Sequence, residues 1–185
     1  MKAFETNLLE FLRAPKQFII PIYQRIYSWN LTQCQQLWLD IVRVGKDDTA
    51  QAHFVGSIVY IAKGIYNVSN VPQLLLIDGQ QRLTTLSLLL AAVAEVLGDD
   101  EQDVGINRRR VGNYYLFNSE EEGDLYYKLL LTQNDKETLK RVLQGREMPE
   151  QSSTRVVENY KFFVEKLRKS GVPLRVVYEG IKKLL

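Results

Sequence analysis

A chain of 185 residues that is 45% hydrophobic and 25% charged has material for one domain with a true core, or for one domain with a small appendage. Its net charge of +2 argues against a general nucleic-acid coat, so any basic surface is local. A single cysteine, Cys34, excludes an internal disulfide framework, and with a single histidine, His53, a zinc site built from protein ligands alone is not expected.

The N-terminus, MKAFETNLLEFLRAPK, lacks the apolar run and cleavage site of a signal peptide. Residues 4–13 read as a short helix with Leu8, Leu9 and Leu12 on its apolar face. FIIPIY (18–23) is extended, because Pro21 forces the residue before it out of the helical region. Asn30 caps a helix, LTQCQQLWLDIVRV, whose apolar residues follow helical spacing until Gly45 ends it. HFVGSIVYIA (53–62) reads as a buried strand, GIYNVSNVPQ as a turn-rich connection, and QLLLID (73–78) as a second strand.

The helix over about 80–97 has one charge after Arg82, namely Glu95; a helix apolar on nearly all sides belongs in the middle of a protein. It is too short to span a bilayer comfortably and contains Thr84, Thr85 and Ser87, so the chain reads as cytoplasmic with no membrane association. Gly98 stops it. Beyond lie helices over roughly 106–117, 133–144, 153–169 and 173–184. The second of these begins at Asn134 with Glu137 at capping-box spacing, and Pro173 opens the last. YYKLLLT (126–132) is a strand or an extended connection. The expected architecture is therefore α+β: an α/β core over residues 1–97, and a helical region over 98–185 packed beside it.

The turn at 78–82, DGQQR, is where chemistry is expected. Asp78 stands at a strand end, the usual ligand side of an α/β arrangement. Gly79 permits a tight turn, and the amides of residues 80–83 are free donors suited to a phosphate. An arginine in a first helical turn opposes the helix dipole by about 0.3–1 kcal/mol. Arg82 can offset this by gripping an anion with its planar guanidinium; equally, it can simply pair with Asp78 across the turn. Asp78 can hold a hydrated Mg²⁺ or orient Arg82, while Gln80 and Gln81 can position a water but cannot act as strong bases. No G-x-x-x-x-G-K-[ST] loop is present.

Two further segments stand out. IPIYQRIYSWN (20–30) sets Pro21, Tyr23, Arg25, Tyr27 and Trp29 just ahead of a helix, a mixture suited to base stacking and phosphate contact, or to a hydrophobic staple with a solvent-facing arginine. HFVGSIVY (53–60) holds the lone histidine, and Gly56 within a strand signals a close approach by a backbone or a ligand. Ser57 has no G-x-S-x-G elbow and no second histidine for a triad, which argues against a serine hydrolase. The arginines at 108–110, between two acidic loops, read as a solvated face.

In their order and spacing, IPIYQRIYSW, HFVGSIV and IDGQQRLTTL resemble the DGQQR-motif family, the N-terminal domain of GmrSD-type modification-dependent restriction proteins. YKLLLTQNDKETLKRVL and VVENYKFFVEKL are similar to its helical portion. The resemblance implies a ParB/sulfiredoxin-like mixed sheet around a central buried helix, and nucleoside triphosphate binding and hydrolysis coupled to restriction of modified phage DNA. It ties the motif Asp78–Arg82 to nucleotide hydrolysis, so Asp78, Gln80, Gln81 and Arg82 are the expected catalytic residues, with Mg²⁺ at Asp78 on the chemistry of the turn. Pro21, Tyr23, Gln24 and Arg25 match its other N-terminal motif, and His53, Gly56 and Ser57 its strand motif; with Gly79, Trp29, Thr84 and Thr85, the residues Tyr23, Gln24, Arg25, His53, Gly56 and Ser57 are the expected nucleotide-binding set. Gln80 stands where sulfiredoxins carry a reactive cysteine, so their chemistry is not expected. Many relatives add a His-rich nuclease domain; with one histidine this chain is expected to need a longer chain or a nuclease partner to cut DNA. The alternative is a DNA-binding or nucleotide-sensing module without hydrolysis.

Overall fold

A computed structural model describes residues 4–63, 71–99, 104–148 and 151–185. Its axis is the helix that the sequence marks as apolar all round, α3 (Gln80–Leu97), which is buried from Leu83 through Ala94. Such a helix needs neighbours on every side. They are α4 (Arg108–Val111), α5 (Gln133–Gln144) and above all α6 (Thr154–Lys169). The charge late in α3, Glu95, is held by α6: Tyr160 donates its hydroxyl to it, and Arg168 lies 2.7 Å away.

The sheet has four short strands in the order β2, β3, β1, β4, with β1 (Gln17–Ile19), β2 (Val59–Ala62), β3 (Gln73–Asp78) and β4 (Leu129–Leu130). β1 is parallel to both β3 and β4, whereas β2 runs antiparallel to β3. Phe18 pairs with Leu74 on one side and Leu129 on the other, so residues from both halves of the chain build one sheet. One apolar cluster takes in Phe18 and Leu76 from the sheet, Leu88 to Leu90 from α3, and Val156 and Phe163 from α6. The fold is α+β, as expected.

Helix α1 (Leu8–Arg13) buries Leu8, Leu9 and Leu12 and is capped by Asn7. Helix α2 (Leu31–Lys46) starts from a capping box between Asn30 and Gln33. Gly45 does not end it. A side chain on Gly45 would stand 2.0 Å from the Val176 carbonyl of α7 (Leu174–Lys182), and one on Gly180 would stand 2.1 Å from the Ile41 carbonyl. Gly45 is thus a crossing residue, not a terminator.

The expected buried strand 53–62 is also corrected. Only Val59–Ala62 is a strand; it forms the sheet edge, and Tyr60 and Ile61 are exposed. Gly56, at φ 111°, breaks the run. Ahead of it His53 and Val55 hydrogen-bond the other way, to Lys183 and Leu185. The helix expected over 106–117 is a single α turn, α4, that widens into a π-helical turn at Gly112–Leu116. Helix α5 starts at Gln133 behind Thr132, which puts Asn134 inside its first turn; the Asn134 side chain lies outside the described residues. So do most of the turn-rich connection, 64–70, and of the first acidic run, 100–103. Among the described residues no helix is long and apolar enough to cross a membrane.

Candidate functional site

Strand β3 ends at Asp78 and α3 begins two residues later, with Gly79 between them at φ 91°. A Cβ at Gly79 would stand 2.9 Å from the Ser57 carbonyl, so both the backbone conformation and the neighbour require glycine. No side chain caps α3. Its first main-chain bond runs from the Leu83 amide to the Gly79 carbonyl at 2.9 Å. The amides of Gln80, Gln81 and Arg82 are left without an acceptor among the described residues, one fewer than the four expected from the sequence.

Arg82 folds back across the turn. Its Nη2 donates to the Ser57 carbonyl and lies 3.6 Å from Asp78 Oδ2. Its Nε is buried without a partner against Gly56, where a Cβ would approach to 2.8 Å. The close approach signalled by Gly56 is therefore made by Arg82 itself. Arg82 thus lies within ion-pair distance of Asp78 across the turn. The carboxylate also offsets the unfavourable placement of a cation at a helix start.

The three glutamines of the two motifs act as struts. Gln24 donates to the Leu76 and Ile77 carbonyls at 2.7 and 2.9 Å, tying its turn to β3. Gln81 accepts from the Ser28 and Trp29 amides at 2.8 and 3.2 Å and donates to the Ile26 carbonyl at 3.2 Å. Gln80 donates to the Arg25 carbonyl at 3.1 Å. Gln80 Oε1 accepts nothing and belongs to a residue bordering a chamber of about 10 Å³, room for one water. Both Gln80 and Gln81 are buried, so their side chains hold the loop 25–29 against the start of α3.

Between that loop and the turn 78–82 lies a cleft of about 280 Å³. Gln24, Arg25 and Trp29 form one wall; the DGQQR residues form the other. Arg25 is exposed, and its guanidinium has no acidic partner among the described residues. Among the described residues Asp78 is the one carboxylate on the cleft, with its side chain 67% exposed. The other expected site residues stand elsewhere. Tyr23 points to solvent, outside the lining. Thr84 and Thr85 are buried beneath the turn. Ser57 contributes its carbonyl to Arg82. His53 bridges to Leu184, with Nε2 3.8 Å from Asp40, and does not reach the cleft.

The family model for the N-terminal domain of GmrSD restriction endonucleases matches residues 8–183, nearly the whole chain. The chain belongs to this family. A search of curated proteins found no match.

The GmrSD N-terminal domain also ties its short motifs to two residues that they do not contain, Asp135 and Asn159. Tyr27 is buried, and burial pushes its phenol well above the ordinary range, so the hydroxyl keeps its proton. Asn159 Nδ2 donates to Tyr27 Oη at 2.7 Å, and Thr85 Oγ1 donates to the Gln81 carbonyl at 2.8 Å. The Tyr27 hydroxyl must therefore donate to Thr85 Oγ1, 2.7 Å away, which gives a chain of bonds running one way from α6 to the first turn of α3. Asp135 Oδ2 accepts from the Tyr27 amide at 2.8 Å. A sequence signal for Asn159 does exist. It lies three residues after Val156 and four before Phe163, a core position by helical spacing that is filled by an amide.

Proposed function

We propose that this domain binds a nucleoside triphosphate in the cleft beside the turn 78–82, and hydrolyses it with Mg²⁺ in the service of a restriction system directed at modified phage DNA. One observation carries the reading: among the described residues the amides of Gln80, Gln81 and Arg82 have no acceptor, and these residues line a cleft whose opposite wall holds Arg25, a cation with no acidic partner there. Amides and dipole at a helix start favour an anion, and a guanidinium adds a charged fork. Arg82 serves as the second cation, held rigid by Ser57 and Gly56. Trp29 offers an aromatic face to the base.

Mg²⁺ bound with phosphates takes one or two carboxylates and keeps several waters. Asp78 meets that need alone. Among the described residues no three His, Cys, Asp or Glu side chains gather as a metal site, so the donor set suits an ion delivered with its phosphates. When bound, the ion neutralises developing charge on the transferred phosphoryl group. Asp78 would hold it and orient the attacking water, the amides of Gln80 to Arg82 would hold the phosphate oxygens, and Arg25 would meet them from the opposite wall.

The test is a titration of the four common triphosphates with and without Mg²⁺, followed by phosphate release. Arg25→Ala should weaken binding about tenfold or more, the value of a charged hydrogen bond. Asp78→Asn should remove the Mg²⁺ dependence. Binding that ignores both changes overturns the placement. A second reading, nucleotide sensing without hydrolysis, is favoured by the commitment of Gln80 and Gln81 to the loop; tight binding with no phosphate release selects it. Strongly salt-dependent DNA binding without nucleotide preference selects the DNA-binding alternative.

A further inference from the structure

The segment 25–29 brings Arg25 and Trp29 to the cleft, yet it belongs to no helix or strand. Such a loop keeps one shape only if side chains supply the hydrogen bonds that regular structure would have supplied. Gln81 supplies some of them. The rest come from the far half of the chain. Asp135, in the first turn of α5, accepts from the Tyr27 amide at 2.8 Å. Asn159, midway along α6, donates to Tyr27 Oη at 2.7 Å and to the Trp29 carbonyl at 2.8 Å.

Neither residue lines the cleft, and both are buried, at 5% and 0% exposure. Asp135 pairs with no cation among the described residues. Asn159 Oδ1 has no hydrogen-bond partner among the described residues, although the residue occupies a core position between Val156 and Phe163. Packing alone would be served better by apolar side chains, because buried carboxylates and amides lose hydration. What their polarity does is fix the main chain of residues 27 and 29.

We propose that Asp135 and Asn159 are positioning residues: through the Tyr27 amide and hydroxyl and the Trp29 carbonyl they hold Arg25 and Trp29 at the cleft wall. Affinity for a triphosphate at the turn 78–82 then depends on side chains of α5 and α6. The affinity part rests on the nucleotide reading above; the positioning part does not.

The variants are Asp135→Ala, which removes the acceptor, Asp135→Asn, which keeps one through Oδ1, and Asn159→Leu, which removes both donors and keeps the branching of the side chain. Each is confirmed folded by circular dichroism and studied well below its Tm. The Kd for the tightest of the four common triphosphates with Mg²⁺ is measured beside amide hydrogen exchange at 25–29. Asp135→Ala and Asn159→Leu should each raise Kd about tenfold and speed exchange in that segment, while Asp135→Asn stays within about threefold of the parent. A folded Asp135→Ala that binds like the parent overturns the proposal. So does an Asp135→Asn as weak as Asp135→Ala, since charge and not the Tyr27 bond would then be acting. If the parent binds none of the four, the nucleotide reading falls by itself. The exchange data then decide positioning: faster exchange at 25–29 in Asp135→Ala but not in Asp135→Asn supports it, and unchanged exchange in both overturns it.

Discussion

Two pairs of glycines bring backbone into close contact in this domain, and they do so for different purposes. Gly45 and Gly180 sit inside helices and let α2 and α7 cross almost backbone to backbone. Gly56 and Gly79 sit in loops at φ 111° and 91°, where one makes room for the Arg82 side chain and the other closes on the Ser57 carbonyl. At the first pair the nearest neighbours are main-chain atoms of the facing helix. The second pair shapes the turn on which three free amides and a guanidinium converge. Similar chemistry, the missing Cβ, thus serves packing in one region and a candidate binding site in the other.

The comparison predicts opposite balances of stability and binding. Gly180→Ala should be more damaging to the fold than a change at either loop glycine. Alanine in a helix ordinarily gains about 1 kcal/mol over glycine. Here the new Cβ would stand 2.1 Å from the Ile41 carbonyl, a backbone atom that cannot swing away. The clash outweighs the propensity, and a net loss of about 3 kcal/mol is expected. For a chain of this size that is a fall in Tm of about 6–12 °C. Triphosphate affinity, measured on the folded fraction, should hardly move. A Tm unchanged by Gly180→Ala would break the comparison at its first term.

Gly79→Ala should cost about 2 kcal/mol, combining left-handed strain with the Ser57 carbonyl at 2.9 Å, and should abolish anion binding at the turn. Gly56→Ala should be milder for the fold. Its Cβ would meet the Arg82 guanidinium at 2.8 and 2.9 Å, a side chain able to move, so about 1 kcal/mol of backbone strain remains. The displaced Arg82 should lose its bond to Ser57, and triphosphate affinity should fall further than stability does. Equal falls would mean that the pose of Arg82 has no bearing on the cleft. Denaturant titration and a binding isotherm on the same samples separate the two outcomes.

Much of this contrast can be read in the sequence, and the part that cannot has a physical cause. Asn30 with Gln33 marks the start of α2, and the apolar run from Leu83 marks the buried helix, because capping and periodicity are local. The DGQQR turn, its glycine and its free amides are local too. Gly45 misleads, because a glycine that stops a helix and one that lets helices cross look alike until the partner, α7, is known. The half of 53–62 that leaves the sheet does so for main-chain partners at the chain's far end, and main-chain carbonyls have no sequence signature. The same holds for Arg82, whose pose is set by the Ser57 carbonyl. Asp135 and Asn159 act on Tyr27 across more than a hundred residues, beyond the reach of local spacing.

The smallest expected effect comes from a region with no such backbone contact, and it calibrates the others. Asp124, in the 3₁₀ turn Gly123–Tyr126, accepts from Lys136 and Lys140 of α5, each at 2.6 Å. The Lys136 and Lys140 hydrogen bonds hold its carboxyl below the ordinary value of 3.8. A carboxyl lowered in the folded state contributes stability fully above its unfolded value, and that contribution disappears as pH falls through the folded one. The Asp124 side chain is 48% exposed, so water screens the pairs and the total stays under about 1 kcal/mol. Asp124→Asn should therefore lower stability slightly at pH 7 and weaken in effect with added salt. It should match the parent once acid has protonated Asp124. Urea titrations of both proteins at neutral and strongly acidic pH check this. A loss that persists in acid would trace to the turn's main chain, where the Asp124 carbonyl accepts from Gln17 Nε2, and would put backbone placement ahead of surface charge in this region as well.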